Sequence, residues 1–156
     1  MKLIEDLLIE AFTRRYQRHY PELFIAVDIH GTIFKPTKHT FISDDGCESV
    51  KSSTNELIPY PFALEALKAL SIIPFVRLIL WTSSNNKELN KCREVLESAG
   101  VKISFVNENP ICQNNDYCNF SSKFCFDILL DDKAGFDPEN DWDAILEFVE
   151  NSIGFL

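Results

Sequence analysis

The sequence predicts a three-layer α/β sandwich built around a mainly parallel sheet. Three observations carry that expectation. Short apolar runs of strand length alternate with longer segments of helical period. The apolar runs are continuous rather than alternating, as in strands buried on both faces. Three of them stop abruptly at polar residues: Asp28, Thr82-Ser83 and Asp131-Asp132.

The elements follow in order. Leu3, Ile4, Leu7, Leu8 and Phe12 recur at helical spacing with charges between them, which predicts an amphipathic helix within residues 1–20. Arg14, Arg15 and Arg18 close it with positive charge, which complements a helix C-terminus. The helix either docks on the core or presents an edge for an anion or a partner. Residues 23–28 are a short apolar run and form the first strand. Residues 34–60 are rich in Thr, Ser, Asp, Lys and Pro and form a flap or loose hairpin, too short for a cap domain. Connections of that length are often functional. Lys35, Lys38 and His39 lie in it, close enough in sequence to meet a phosphate.

Pro61 opens a helix that runs to Leu70. Arg77 to Thr82 is a second buried strand. Ser84 or Asn85 caps the next helix, which ends near Ala99 ahead of Gly100. Lys102 to Val106 forms a third strand and Asn107 to Ser121 a polar loop. Phe126 to Asp132 is a fourth strand with acids at its end, and Asp141 to Val149 a closing helix.

The chain has 156 residues, 46% of them hydrophobic, which suits one domain over residues 1–156 with one core. A net charge of −9 and a pI of about 4.8 exclude a general affinity for duplex nucleic acid, which needs a basic face. The five cysteines are odd in number and irregularly spaced, with no Cys-x-x-Cys pair. They read as reduced thiols of a cytosolic protein rather than a disulfide framework or a zinc site. No signal-peptide pattern opens the sequence and no uncharged apolar run has transmembrane length. A soluble, cytoplasmic protein is expected.

In an open parallel sheet the strand C-termini line one crevice, and ligands bind there. Asp28, Thr82, Ser83, Asp131 and Asp132 would converge at that crevice although they are distant in sequence. Carboxylates gathered so closely repel one another and call for a cation. Oxygen-only donors favour Mg²⁺. Asp28 also stands where a rigid, exposed carboxylate can attack an electrophile.

These residues resemble the haloacid dehalogenase (HAD) superfamily of phosphohydrolases. Its first motif is an apolar strand followed by Asp-x-Asp-Gly-Thr, here Asp28-Ile29-His30-Gly31-Thr32. Its second is an apolar strand ending in Thr or Ser, here Leu78 to Thr82. Its third is a lysine ahead of the last strand, here Lys123. Its fourth is a strand ending in an acidic pair, here Asp131-Asp132. Order and spacing agree over residues 23–150. Residues 62–67, the Leu-Ile-Leu-Trp-Thr run and Asp141-Trp142 are similar to a subgroup of small, capless bacterial members.

The resemblance implies a Rossmann-like HAD fold with little or no cap. It implies that Asp28 attacks phosphorus to give an aspartyl-phosphate, which water hydrolyses. Mg²⁺ would be held by Asp28, the backbone carbonyl of His30, and one or both of Asp131 and Asp132. Thr82, Ser83 and nearby N–H groups would hold phosphate oxygens, and Lys123 would neutralise charge on the nucleophile and the phosphoryl group. The substrate would be a phosphorylated small molecule or the phosphorylated end of a larger one.

One position departs from the pattern. HAD phosphatases carry a second aspartate two residues after the nucleophile, as acid and base. Here that residue is His30. Either His30 serves as the acid/base, with an intrinsic pKa suited to it, or the chain is a catalytically impaired binder of phosphate and metal. A third reading is an interaction protein that uses the N-terminal helix and the acidic surface.

Overall fold

The structure, a computed structural model, describes residues 3–15, 21–36, 38–42, 48–52, 56–110 and 124–152. The elements along the chain are α1 (Ile4–Arg14), β1 (Leu23–Val27), β2 (Lys38–Ile42), β3 (Glu48–Ser52), α2 (Ala63–Ser71), β4 (Val76–Leu80), α3 (Asn86–Ser98), β5 (Phe105–Val106), β6 (Ile128–Leu130) and α4 (Asp141–Ser152). A 3-10 turn, Asp132–Ala134, follows β6.

The four strands expected from the apolar runs form one sheet in the order β5-β4-β1-β6, parallel throughout. All five residues of β1 are buried, because the strand is central and covered on both faces. Leu23, Ile25 and Val27 face the main core, which they share with Leu8 and Phe12 of α1, Leu67 and Leu70 of α2, Cys92 and Leu96 of α3, and Trp142 and Ile145 of α4. Each such fully buried side chain contributes about 1.5–3 kcal/mol. The chain steps from β1 to β4 through α2 and from β4 to β5 through α3, in the same direction across the sheet. Right-handed crossovers in one direction put their helices on one face.

The opposite face of the sheet carries a second, smaller apolar cluster. There Phe24, Ala26 and Ile79 pack with Phe105, Phe124, Cys125 and Leu129. The three-layer α/β expectation is met.

Several details differ from the sequence reading. In α1 the buried residues are Ile4, Leu8, Ala11 and Phe12, whereas Leu3 and Leu7 are exposed. The Phe12 ring meets Phe75 and Phe148 edge-on, each at 5.5 Å, and this fixes the face that turns inward. Arg14 pairs with Glu10 and Arg15 lies over the Phe75 ring, so the cationic end of the helix is engaged locally. Arg18 lies outside the described residues. β5 is shorter than expected, and among the described residues it pairs with β4 alone. β6 starts at Ile128 because the Asp127 carboxylate folds back and accepts from the Phe24 amide at 2.8 Å. Within the flap, β2 and β3 pair antiparallel, the hairpin expected there. Its base is tied to the body by Lys35 N–H to the Ile58 carbonyl and Tyr60 N–H to the Ile33 carbonyl. Among the described residues no helix is long and apolar enough to cross a membrane.

Candidate functional site

The sheet's hydrogen bonding continues one residue past each strand. Asp28 N–H donates to the Leu130 carbonyl, Trp81 N–H to the Val27 carbonyl and Asn107 N–H to the Leu80 carbonyl. The residues that follow β1, β4, β5 and β6 therefore stand side by side at the C-terminal edge, where a parallel sheet places its ligands. A cleft of about 430 Å³ opens there, with Asp28, Asp131 and Lys133 on one side and Trp81, Thr82, Ser83 and Asn107 on the other.

Asp28, Asp131 and Asp132 come together in three dimensions. One carboxylate oxygen from each lies within 4.8 Å of the others, a spacing that one cation can span. The pKa of Asp28 is raised. Burial is the main cause and the charges of Asp131 and Asp132 add to it, while the Ile29 N–H and Lys133 oppose it. The cluster thus holds three negative charges at a cost that a hard cation would remove. The donors are all oxygen, which fits such an ion.

The loop that follows Asp28 is shaped around Asp132. Gly31 has φ +82°, and a Cβ built there would lie 2.9 Å from Asp132 Oδ2. Glycine is what lets the backbone pass so near the carboxylate. Thr32 is fully buried and links the two acidic loops. Its Oγ1 accepts from the Asp132 amide at 3.0 Å and lies 3.4 Å from Asp132 Oδ1. The Thr32 carbonyl accepts from Trp142 Nε1 at 2.9 Å, so α4 anchors the same loop. Asp131 Oδ1 accepts from the Lys133 amide at 2.8 Å and caps the turn that carries Asp132.

On the opposite wall, Asn107 makes two bonds to one residue. Its Oδ1 accepts from the Thr82 amide and its Nδ2 donates to the Thr82 carbonyl, both at 2.8 Å. The Thr82 amide is thereby taken, so of the groups expected to meet phosphate at Thr82 its side-chain hydroxyl is the one that remains. That hydroxyl bonds Ser84 Oγ at 2.9 Å and accepts from the Ser84 amide. Ser84 Oγ in turn lies 2.7 Å from His30 Nε2, with Glu88 Oε2 at 3.8 Å from the same nitrogen. His30 is thus drawn toward the start of α3 and meets the cleft through Ser84 and Thr82. Its Nδ1 is buried and has no hydrogen-bond partner among the described residues.

Asp28, Asp131, Asp132, Thr82 and Ser83 are therefore brought to one place, and His30 is joined to them by hydroxyls. Lys123 lies outside the described residues. Lys133, which follows the acidic pair directly, lines the cleft. Lys35 pairs with Glu139 at 3.4 Å and lies over the Tyr60 ring, so it is engaged away from the cleft. Of Lys38 and His39 only the backbone, in β2, is described. Asn107, Ser84 and Lys133 escape a reading of motifs. For Asn107 the available signals were its residue type, which tolerates the positive φ it adopts (+50°), and its place one residue past a strand.

No family model matches this chain, and no curated protein matches it. Among solved structures, a conserved protein from Bacteroides thetaiotaomicron is similar, with a TM-score of 0.56 and 26% sequence identity over 84% of this chain and 92% of that one. The likeness extends beyond the sheet to most of both chains and supports the α/β fold.

Proposed function

We propose that this chain is a divalent-cation-dependent phosphohydrolase of the HAD type, acting in the cytoplasm on a phosphomonoester. One observation carries the reading: the convergence of Asp28, Asp131 and Asp132 to within 4.8 Å beside a cleft walled by Thr82 and Lys133. A cation there, Mg²⁺ by the donor chemistry, would screen the carboxylates from an anionic phosphate and polarise the phosphoryl oxygens.

The residues divide the work. An Asp28 oxygen attacks phosphorus, the bond to the ester oxygen breaks, and the phosphoryl group rests on Asp28. Water then attacks that phosphorus, releasing phosphate and restoring the carboxylate. Asp28, Asp131 and Asp132, with the His30 carbonyl by resemblance to the family, would hold the cation. Thr82 and Ser83 hold phosphate oxygens. Lys133 is placed to screen charge on Asp28, the role expected of Lys123. His30 gives a proton to the leaving oxygen and takes one from water through Ser84 and Thr82. General acid catalysis of this kind contributes about 10²–10⁴-fold.

A second reading has its own support. His30 Nε2 is already bonded to Ser84, which favours a site that binds phosphate and metal without turnover. Assays with Mg²⁺ and an activated aryl phosphate separate the two. Loss of rate with a changed pH profile in His30→Ala supports turnover through His30. A silent parent whose His30→Asp variant gains activity supports the binding reading. Asp28→Asn must abolish turnover; surviving activity would refute the nucleophile.

A further inference from the structure

We infer that the group esterified to phosphate in this cleft carries a flat aromatic ring, a nucleobase or an aryl group, that lies on Trp81. The inference rests on the phosphohydrolase reading above and names its substrate class. Trp81 directly follows β4, and its amide is fixed to the Val27 carbonyl at 2.9 Å. Trp81 is 40% exposed, while Trp142, the other tryptophan, is wholly buried. Trp81 is the aromatic member of a cleft lining whose other residues are Asp28, Thr82, Ser83, Asn107, Asp131 and Lys133. A cleft that is charged at one end and aromatic at the other suits a ligand of the same composition.

The ring is also braced. Trp81 packs on Phe124 at 4.0 Å between centroids, tilted by 39°, and Phe124 packs on Phe126 at 6.1 Å. An aromatic platform held in place loses little freedom when a second ring settles on it. Its π-face accepts any flat ring without demanding a particular hydrogen-bond pattern. Core packing would have buried Trp81 as it buries Trp142. The carboxylate cluster needs no aromatic neighbour.

The test compares adenosine 5′-monophosphate, phenyl phosphate and ribose 5-phosphate as substrates with Mg²⁺, for the wild type, Trp81→Ala and Trp81→Tyr. In Trp81→Ala the ratio of kcat/KM for the ring-bearing esters over ribose 5-phosphate should fall roughly 5- to 150-fold, the range for one stacked ring. The loss should be mainly in KM, and Trp81→Tyr should restore most of it. The ester that depends more on Trp81 separates nucleobase from aryl group. An unchanged ratio in Trp81→Ala overturns the inference, as does a ratio that Tyr fails to restore. Tryptophan fluorescence gives an independent readout, since Trp142 is buried and Trp81 reports on the cleft. Quenching by adenosine monophosphate but not ribose 5-phosphate, without phosphate release from any ester, keeps the aromatic subsite and defeats the hydrolase. Equal hydrolysis of all three esters without quenching keeps the hydrolase and defeats the aromatic subsite.

Discussion

Replacing Gly31 by alanine separates backbone strain from damage to the acidic cluster. At φ +82° an L side chain is strained by about 1–2 kcal/mol. For a chain of this size that lowers Tm by about 2–8 °C. A second effect is local. The new Cβ would lie 2.9, 3.1 and 3.2 Å from Oδ2, Cγ and Oδ1 of Asp132. The Asp132 amide is held by Thr32, so the cheapest relief is for the carboxylate to swing away from Asp28 and Asp131. Loss of a group that orients a metal ligand weakens affinity about 10–100-fold. Gly135 provides the control. Its φ is +100°, but a Cβ there would meet nothing within 4 Å among the described residues. Gly135→Ala should therefore lose stability and keep its affinity for Mg²⁺, whereas Gly31→Ala should lose both. Urea unfolding without metal and calorimetric titration with Mg²⁺ measure the two effects. Equal Mg²⁺ affinity in Gly31→Ala and the wild type would refute the proposed orientation of Asp132 by this loop.

Three further outcomes follow from the same geometry. The folded pKa of Asp28 is raised, so its share of stability is fully present below the unfolded carboxylate pKa and is lost as pH rises through the folded value. Metal-free wild type should thus lose stability relative to Asp28→Asn as pH climbs through that window, and Mg²⁺ should cancel the difference; parallel urea midpoints against pH would contradict this. Trp142→Phe removes the donor to the Thr32 carbonyl and should cost about 1–3 kcal/mol, read from urea unfolding; an unchanged midpoint would mean that the bond is not made. Burial pushes the Cys92 thiol up to about 11, so iodoacetamide at mildly alkaline pH should leave it unmodified in the native protein, as peptide mapping would reveal.

The sequence carried the placement of Asp28, Thr82, Asp131 and Asp132 because strand ends are marked by a sharp change from apolar to polar, and parallel topology does the rest. The lengths of the strands were less readable. Asp127 belongs to the apolar run by position but spends its carboxylate on the Phe24 amide, a contact across more than a hundred residues of chain that leaves no periodic trace. The same holds for Asn107, whose amide mimics a strand edge against Thr82. Ser84 read equally well as a helix cap, but Asn85 takes that role and frees Ser84 to reach His30. Thr32 is legible in sequence only as the end of the first motif, because its link to Asp132 depends on β1 and β6 being neighbours. Side-chain pairings made across the sheet depend on tertiary contacts, which no local pattern encodes.

The most direct test is to stop the reaction with acid during turnover of an aryl phosphate with Mg²⁺ and map the labelled peptides. A phosphoryl group on Asp28, formed in wild type and absent in Asp28→Asn, is the expected result. Phosphate released at full rate with no phosphoryl group on Asp28, or with the group on another residue, would contradict it.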